Sequence, residues 1–187
     1  MKDRRDILKG KIDAYLRKKQ LFKGDEYKKL EKSFLAKSRK NIGVANLLFK
    51  ISEEDDLKKF LSLANNFEMY DWVIIVSYYS MYVSALSALA KLGFKSKSHA
   101  ATITVLEYNF VNKKDDSDKK NKLDVDDLHK LVKAYSFSEQ LITKLIQTKT
   151  KRETAQYDAT PSITREMANS SLEDADEFIT KIEQILG

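Results

Sequence analysis

The sequence predicts an all-α fold, a bundle of helices packed around one central, nearly uncharged helix. Three observations carry that reading. The stretch Tyr70–Leu92, YDWVIIVSYYSMYVSALSALAKL, holds no charged residue, no Pro and no Gly from Trp72 to Ala90. A run that is apolar nearly all round suits the centre of a bundle. The 187 residues contain one Pro and five Gly, while Lys, Leu, Ala and Glu fill long stretches, a composition that favours helix over sheet. Apolar residues on both sides of the central run fall into helical stripes, and nothing reads as a confident strand.

Taken in order, Asp3–Gln20 predicts a short basic helix with Ile7, Leu8, Ile12, Tyr15 and Leu16 on one side. Leu21–Gly24 breaks that pattern. A second helix is expected from Asp25 to about Lys50, with Asp25 and Glu26 as N-terminal cap and dipole partner. Its apolar members include Tyr27, Leu30, Phe34, Ala45, Leu48 and Phe49, and Gly43 inside it marks a close contact or a bend. Ser52-Glu53-Glu54-Asp55 reads as a helix start with the serine as cap. Leu57, Phe60, Leu61 and Ala64 then make a short amphipathic segment that ends near Asn65-Asn66.

The central helix carries serines at 77, 80, 84 and 87, a 3-4-3 spacing that lines them along one narrow stripe and lets a neighbouring helix come close. Trp72, Ile75, Val76, Tyr79, Tyr82, Val83, Leu86 and Leu89 occupy its other faces. Gly93 is placed to stop it, with Lys91 in the last turn. Ser98 starts the next helix, whose apolar residues run through Ile103, Val105, Leu106, Phe110 and Val111. Asn112–Lys122 is a mixed-charge stretch without a hydrophobe, expected as an exposed loop. A long helix is expected from about Asp124–Asp127 towards Arg152–Tyr157, and Pro161 closes that section. The last helix runs from about Thr164 to Leu186, with Met167, Leu172, Ala175, Phe178, Ile179, Ile182 and Leu186 inward.

Length and composition bound the class of protein. The chain fits one domain with an appendage: a basic helical segment over residues 1–24 and a bundle over 25–187. Zero Cys excludes disulfides, thiolate metal sites and a cysteine nucleophile. The N-terminus has charges but no apolar signal core, so a cytoplasmic protein is expected. The central run barely reaches bilayer-spanning length, is diluted by Ser and Tyr and has no second like it. With a mean hydropathy of -0.49 for the chain, a soluble bundle is expected rather than a membrane span. Net charge is +6 but uneven: residues 1–50 hold 16 Lys/Arg against 6 Asp/Glu. That asymmetry either faces a polyanion or is the solvated side of amphipathic helices.

Most enzyme constellations are absent. No glycine-rich phosphate loop, HExxH or GxSxG occurs. His99 and His129 are too few for a histidine-rich metal site, and the acidic runs Glu53–Asp56 and Glu173–Glu177 read as capping and solvated faces. The informative stretch is Lys151-Arg152-Glu153-Thr154-Ala155-Gln156-Tyr157-Asp158. It groups a guanidinium, a carboxylate and a phenol at the end of a long helix. Arg can grip a phosphate with two parallel hydrogen bonds, and Tyr can stack or donate. By spacing alone the same residues make an ordinary helix end with a cation near its C-terminus.

In order along the chain, YDWVIIVSYYSMYVSALSALAKLGF, KSHAATITVLEYNFV, the RETAQYD box and LEDADEFITKIEQIL resemble the HEPN superfamily, particularly its small prokaryotic branch. The resemblance covers roughly two thirds of the chain, and the ordered set is more specific than any one piece. It implies an up-and-down helical bundle that dimerises, often encoded beside a minimal nucleotidyltransferase. Active members are metal-independent RNases, many of them toxins, and need no cofactor. Their motif is Arg, four to six intervening residues, then His, with a polar residue directly after the Arg. Arg152 and Glu153 match it, whereas Tyr157 stands where the His belongs. An unperturbed phenol, with a pKa near ~10, is a poor base for a 2′-hydroxyl at neutral pH, unlike imidazole. His129 precedes Arg152 by more than twenty residues, which exceeds 30 Å along one helix at about 1.5 Å per residue, so it is no substitute within one chain. His99 opens its helix, in a structural or capping role or as a nucleic-acid contact.

The expectation is therefore an RNA- or nucleotide-associated HEPN module of a toxin–antitoxin or defence-type system. It would act as a homodimer or beside a nucleotidyltransferase-like partner, without metal or membrane. Arg152, Glu153, Tyr157, Lys151 and His99 would contact nucleic acid, with Arg152 and Tyr157 catalytic if the protein cleaves RNA. The alternatives are an active metal-independent RNase toxin and a non-catalytic protein-interaction adaptor.

Overall fold

The computed structural model describes residues 4–111, 126, 129, 130 and 163–187. The elements are α1 (Arg4–Arg17), β1 (Leu21–Lys23), a 3-10 segment (Asp25–Leu30), α2 (Glu31–Glu53), α3 (Asp55–Phe60), α4 (Tyr70–Lys91), β2 (Phe94–Ser96), α5 (His99–Leu106), a π-helical turn (Glu107–Val111) and α6 (Arg165–Leu186). Asp126, His129 and Lys130 are also helical. The all-α bundle is as expected, with a two-stranded ribbon added. The rest of the expected long helix, its loop Asn112–Lys122 and the break at Pro161 lie outside the described residues.

The charge-free run forms α4 and packs chiefly on α2 and α6. Val73, Ile74, Tyr78, Met81, Ala85, Ala88 and Leu89 are buried in one cluster with Ile42 and Ala45 of α2 and Phe178, Ile179 and Ile182 of α6. The serine stripe acts as its spacing suggests. Ser77, Ser80, Ser84 and Ser87 are all buried, and at one point α2 and α4 bond reciprocally. Ser80 Oγ donates to the Ser38 carbonyl at 2.6 Å, and Ser38 Oγ donates to the Ser80 carbonyl at 3.0 Å. Ser84 and Ser87 donate to carbonyls one turn back in α4 itself. Small side chains bring the backbones together; the hydroxyls of Ser80, Ser84 and Ser87 are satisfied on the spot, while that of Ser77 is buried without a partner among the described residues.

Cross-links fix the directions of the helices. Near its end α2 meets the start of α4, where Ser52 Oγ accepts from the Met69 N–H at 2.9 Å. Together with the Ser38–Ser80 pair this makes α2 and α4 antiparallel. Lys91, in the last turn of α4, donates to the Ile185 and Leu186 carbonyls at the end of α6, so α4 and α6 run parallel. A cation there satisfies orphan carbonyls and complements the negative end of the helix dipole.

The structure corrects several local expectations. Leu21–Lys23 and Phe94–Ser96 form an antiparallel pair in which Phe22 faces Lys95 and Lys23 faces Phe94. Each strand is only three residues long, too short for alternation to register. The helix expected from Asp25 begins as a 3-10 segment, and neither Asp25 nor Glu26 caps it; α2 proper starts at Glu31. Ser52 does not cap the following helix: it lies in the last turn of α2, its hydroxyl donating to the Leu48 carbonyl. Gly43 faces open space, with nothing within 4 Å of an added Cβ, so it marks no close contact. In α3 the expected polarity is inverted. Phe60 is 83% exposed, while Lys58 is buried and donates to the Asn65 carbonyl at 3.1 Å. In α6 Met167 is exposed and Ala168 takes the inward position, and in α1 Ile7 is exposed while Leu8 and Ile12 are buried.

Two turns deliver the chain to the ribbon. After α1, the Lys19 N–H reaches the Leu16 carbonyl and the Gln20 N–H reaches the Tyr15 carbonyl, with Lys19 at φ 55°. This is the Schellman arrangement, here with lysine in the left-handed position. After α4, Gly93 stops the helix as expected, at φ 76°. Its carbonyl accepts from the Gly24 N–H at 2.9 Å, and a Cβ on Gly93 would lie 3.1 Å from the Gly24 carbonyl oxygen. Both the dihedral and the approach call for glycine.

Candidate functional site

His99 is the one predicted site residue that the structure describes. Ser98, not His99, caps α5: its Oγ accepts from the Ala101 N–H. That frees the imidazole from the helix end. Its ring stacks on Tyr82 with centroids 4.0 Å apart, and the Tyr78 hydroxyl bonds Nδ1. Tyr78 is fully buried, whereas His99 and Tyr82 are half-buried. Burial pushes the Tyr82 phenol up, opposed by a hydrogen bond with Thr102, so it stays neutral at physiological pH. A neutral imidazole that accepts from Tyr78 at Nδ1 would carry its proton on Nε2. In that form His99 offers a flat ring and a donor rather than a base. The cluster suits stacking and hydrogen bonding to a planar group.

A second titratable cluster joins the ends of three helices. The Glu53 carboxylate in α2 accepts from Tyr70 Oη at 2.6 Å and from Arg165 Nε of α6, and the Arg165 guanidinium also lies over the Phe49 ring. The Tyr70 hydrogen bond, and then Arg165, hold the Glu53 carboxyl below its usual range. Burial, and then the Glu53 carboxylate, push the Tyr70 phenol up to about 12. All three groups are consumed by one another, so this is a clasp. Arg39 makes a similar one on α6, bonding both Glu183 oxygens at 2.8 and 2.6 Å and Asp176 at 2.6 Å.

Lys151, Arg152, Glu153 and Tyr157 lie outside the described residues, so their arrangement with His99 carries no geometry. His129 is exposed, and Lys130 beside it pairs with Glu177 and Asp174 of α6. Among the described residues no three His, Asp or Glu side chains gather as a metal site. The sequence reading missed the tyrosines that hold His99. Their signal is the spacing of Tyr78 and Tyr82 at i and i+4, which puts both on the face that α5 meets.

One described helix, Tyr70–Lys91, is long and apolar enough to cross a membrane, with a mean hydropathy of 1.6, but 78% of that window is buried inside the protein. Burial of this kind is what a bundle's central helix shows. No curated protein matches the sequence. The family model described as HEPN domain matches residues 45–185, from the middle of α2 through α6 and including the RETAQYD box. With a nearly uncharged central helix clasped by its neighbours and a match over well over half of its length, the chain belongs to the HEPN domain family.

Proposed function

We propose that this chain is an RNA- or nucleotide-associated HEPN protein of the small prokaryotic branch that binds RNA without cleaving it. It works in the cytoplasm within a toxin–antitoxin or defence-type system, as a homodimer or beside a minimal nucleotidyltransferase. The observation that carries this reading is the family match spanning Lys151–Asp158, combined with Tyr157 in the position where the family motif has its His. Arg152 grips a phosphate through two parallel hydrogen bonds, Glu153 orients the guanidinium, and Lys151 adds charge. Tyr157 stacks or donates. His99, its ring held flat against Tyr82, supports the same role through a second planar group. In a two-fold dimer the Arg152 regions of both copies line one groove. Cleavage without a metal needs a base for the 2′-hydroxyl, and a phenol near its ordinary pKa of ~10 supplies too little of one at neutral pH.

The test is binding of a labelled structured RNA in EDTA by the wild type and by Arg152→Ala. The variant should bind this RNA at least tenfold more weakly while keeping its circular dichroism spectrum and melting temperature. Unchanged affinity removes Arg152 from the site. A second reading, a protein-interaction adaptor, draws on the exposed Phe60 and Trp72; it predicts that losing Arg152 and Tyr157 leaves partner capture intact.

A further inference from the structure

The β1–β2 ribbon gathers charge in a way that neither the family nor the Arg152 box accounts for. Residues 17–29 and 94–98 hold eight Lys/Arg against Asp25 and Glu26, a net +6. The whole chain is also +6, so everything outside these two segments sums to zero. The two segments are some seventy residues apart in sequence, and only the strand pairing brings them together. Residues 30–50 hold a further net +4, so what sets the ribbon apart is the pairing of two basic segments rather than the total.

The ribbon's outer face alternates cations with rings. Phe22 pairs with Lys95, and the Lys97 N–H extends the ladder to the Gln20 carbonyl at 2.8 Å. This register places Phe22, Lys95 and Lys97 on one side, opposite the buried Leu21 and Phe94. Lys97 Nζ sits 5.0 Å from the Phe22 centroid, and Lys95 Nζ sits 5.8 Å from that of Tyr27. Lys95 and Lys97 are exposed and have no carboxylate partner among the described residues, whereas Lys28 is paired with Asp25.

We propose that this outer face, carried by Phe22, Tyr27, Lys95 and Lys97, binds single-stranded nucleic acid. The lysines take successive phosphates and the two rings stack bases. Magnitudes favour the exchange. An exposed lysine over a ring gains less than a base stacked on an aromatic side chain does. A lysine that swings to a phosphate therefore leaves a ring face that a base fills at net gain. Phe22 and Tyr27 are half-buried, so they present flat faces rather than protruding wedges, which suits stacking better than insertion into a lipid surface. The ribbon uses no residue of the Arg152 box.

The experiment measures fluorescence-anisotropy affinities of a labelled oligouridylate and an oligothymidylate for the full chain across a salt series. Lys95→Gln/Lys97→Gln should lower affinity at least tenfold and reduce the slope of log K against log salt by about 1.4, two single-strand phosphate contacts. Phe22→Leu should lower affinity about tenfold with the salt slope unchanged. Lys37→Gln/Lys40→Gln, an equal charge loss on exposed positions of α2, should change the slope by far less. Melting temperatures of all variants check that each is folded. Equal slopes for the two lysine pairs would show diffuse charge and overturn the proposal. So would tighter binding to duplex than to single strand, or binding to phosphatidylserine vesicles with none to the oligonucleotides. The ribbon variant is repeated in an Arg152→Ala background, where its loss should persist. If Arg152→Ala alone removes all binding, the ribbon is not an independent site.

Discussion

The α2–α4 seam and the β1–β2 ribbon each join segments distant in sequence, and they do so with opposite chemistry. In the middle of the seam, buried serines exchange hydrogen bonds with backbone carbonyls, and charge enters only at its end, where Glu53 accepts from Tyr70. At the ribbon, a single row of strand pairing leaves lysines in water with aromatic rings beneath them. The difference separates two demands on the chain. The seam sets how close the helices can come, so stability concentrates there. The ribbon gives Leu21 and Phe94 to the core, but Lys95 and Lys97 on its outer face stay exposed, so they are free to meet a ligand.

Substitutions should break that contrast in a fixed order. Ser80→Leu forces a larger side chain between touching backbones and removes a buried hydrogen bond. It should cost about 3 kcal/mol in chemical denaturation. Gly93→Ala places a Cβ at a left-handed φ and 3.1 Å from the Gly24 carbonyl, for about 2 kcal/mol. Tyr70→Phe removes a hydrogen bond to a carboxylate, for about 1.5 kcal/mol at neutral pH.

The Tyr70 phenol is raised from 10.0 to about 12. It therefore contributes stability that is fully present below pH 10 and lost as the pH rises towards 12. Melting curves of Tyr70→Phe should lack that alkaline decline. Glu183 shows the reverse sign. The Arg39 hydrogen bonds hold its carboxyl below 4.5, so its contribution is present above that value and fades as the pH falls through the acid range. Arg39→Met should flatten the acid limb and, with both partners partly solvated, cost less than about 1 kcal/mol. Smallest of all, Lys95→Gln/Lys97→Gln should stay within about 0.5 kcal/mol of wild type. A ribbon variant that melts as early as Ser80→Leu would erase the contrast.

Long-period features were legible in the sequence. The charge-free run, the serine spacing and Gly93 together located α4, its close neighbour and its end, because a helix of twenty-two residues repeats its signal several times. The final helix was equally clear, with its apolar stripe misplaced only at Met167. Short elements were not legible. Three-residue strands carry one alternation each, and their partner lies far along the chain, so Phe22 and Lys95 announce nothing until they pair. Ser52 looked like a cap because a serine before acids is a common start, yet the helix continued through it and its hydroxyl served Met69 instead. The His99 cluster depended on a contact between α4 and α5: the i, i+4 spacing of Tyr78 and Tyr82 is local, but which helix meets that face is not. For the RETAQYD box the residues themselves carried the reading, through the resemblance they bear.

The central claim is that this HEPN protein holds RNA and does not cut it. It is tested most directly by incubating purified protein with end-labelled structured RNA in EDTA, then resolving the same samples on native and denaturing gels. The account predicts a shifted complex on the native gel and full-length RNA on the denaturing one. RNA fragments made by the wild type and not by Arg152→Ala would contradict it, placing an active metal-independent ribonuclease where we read a binding module.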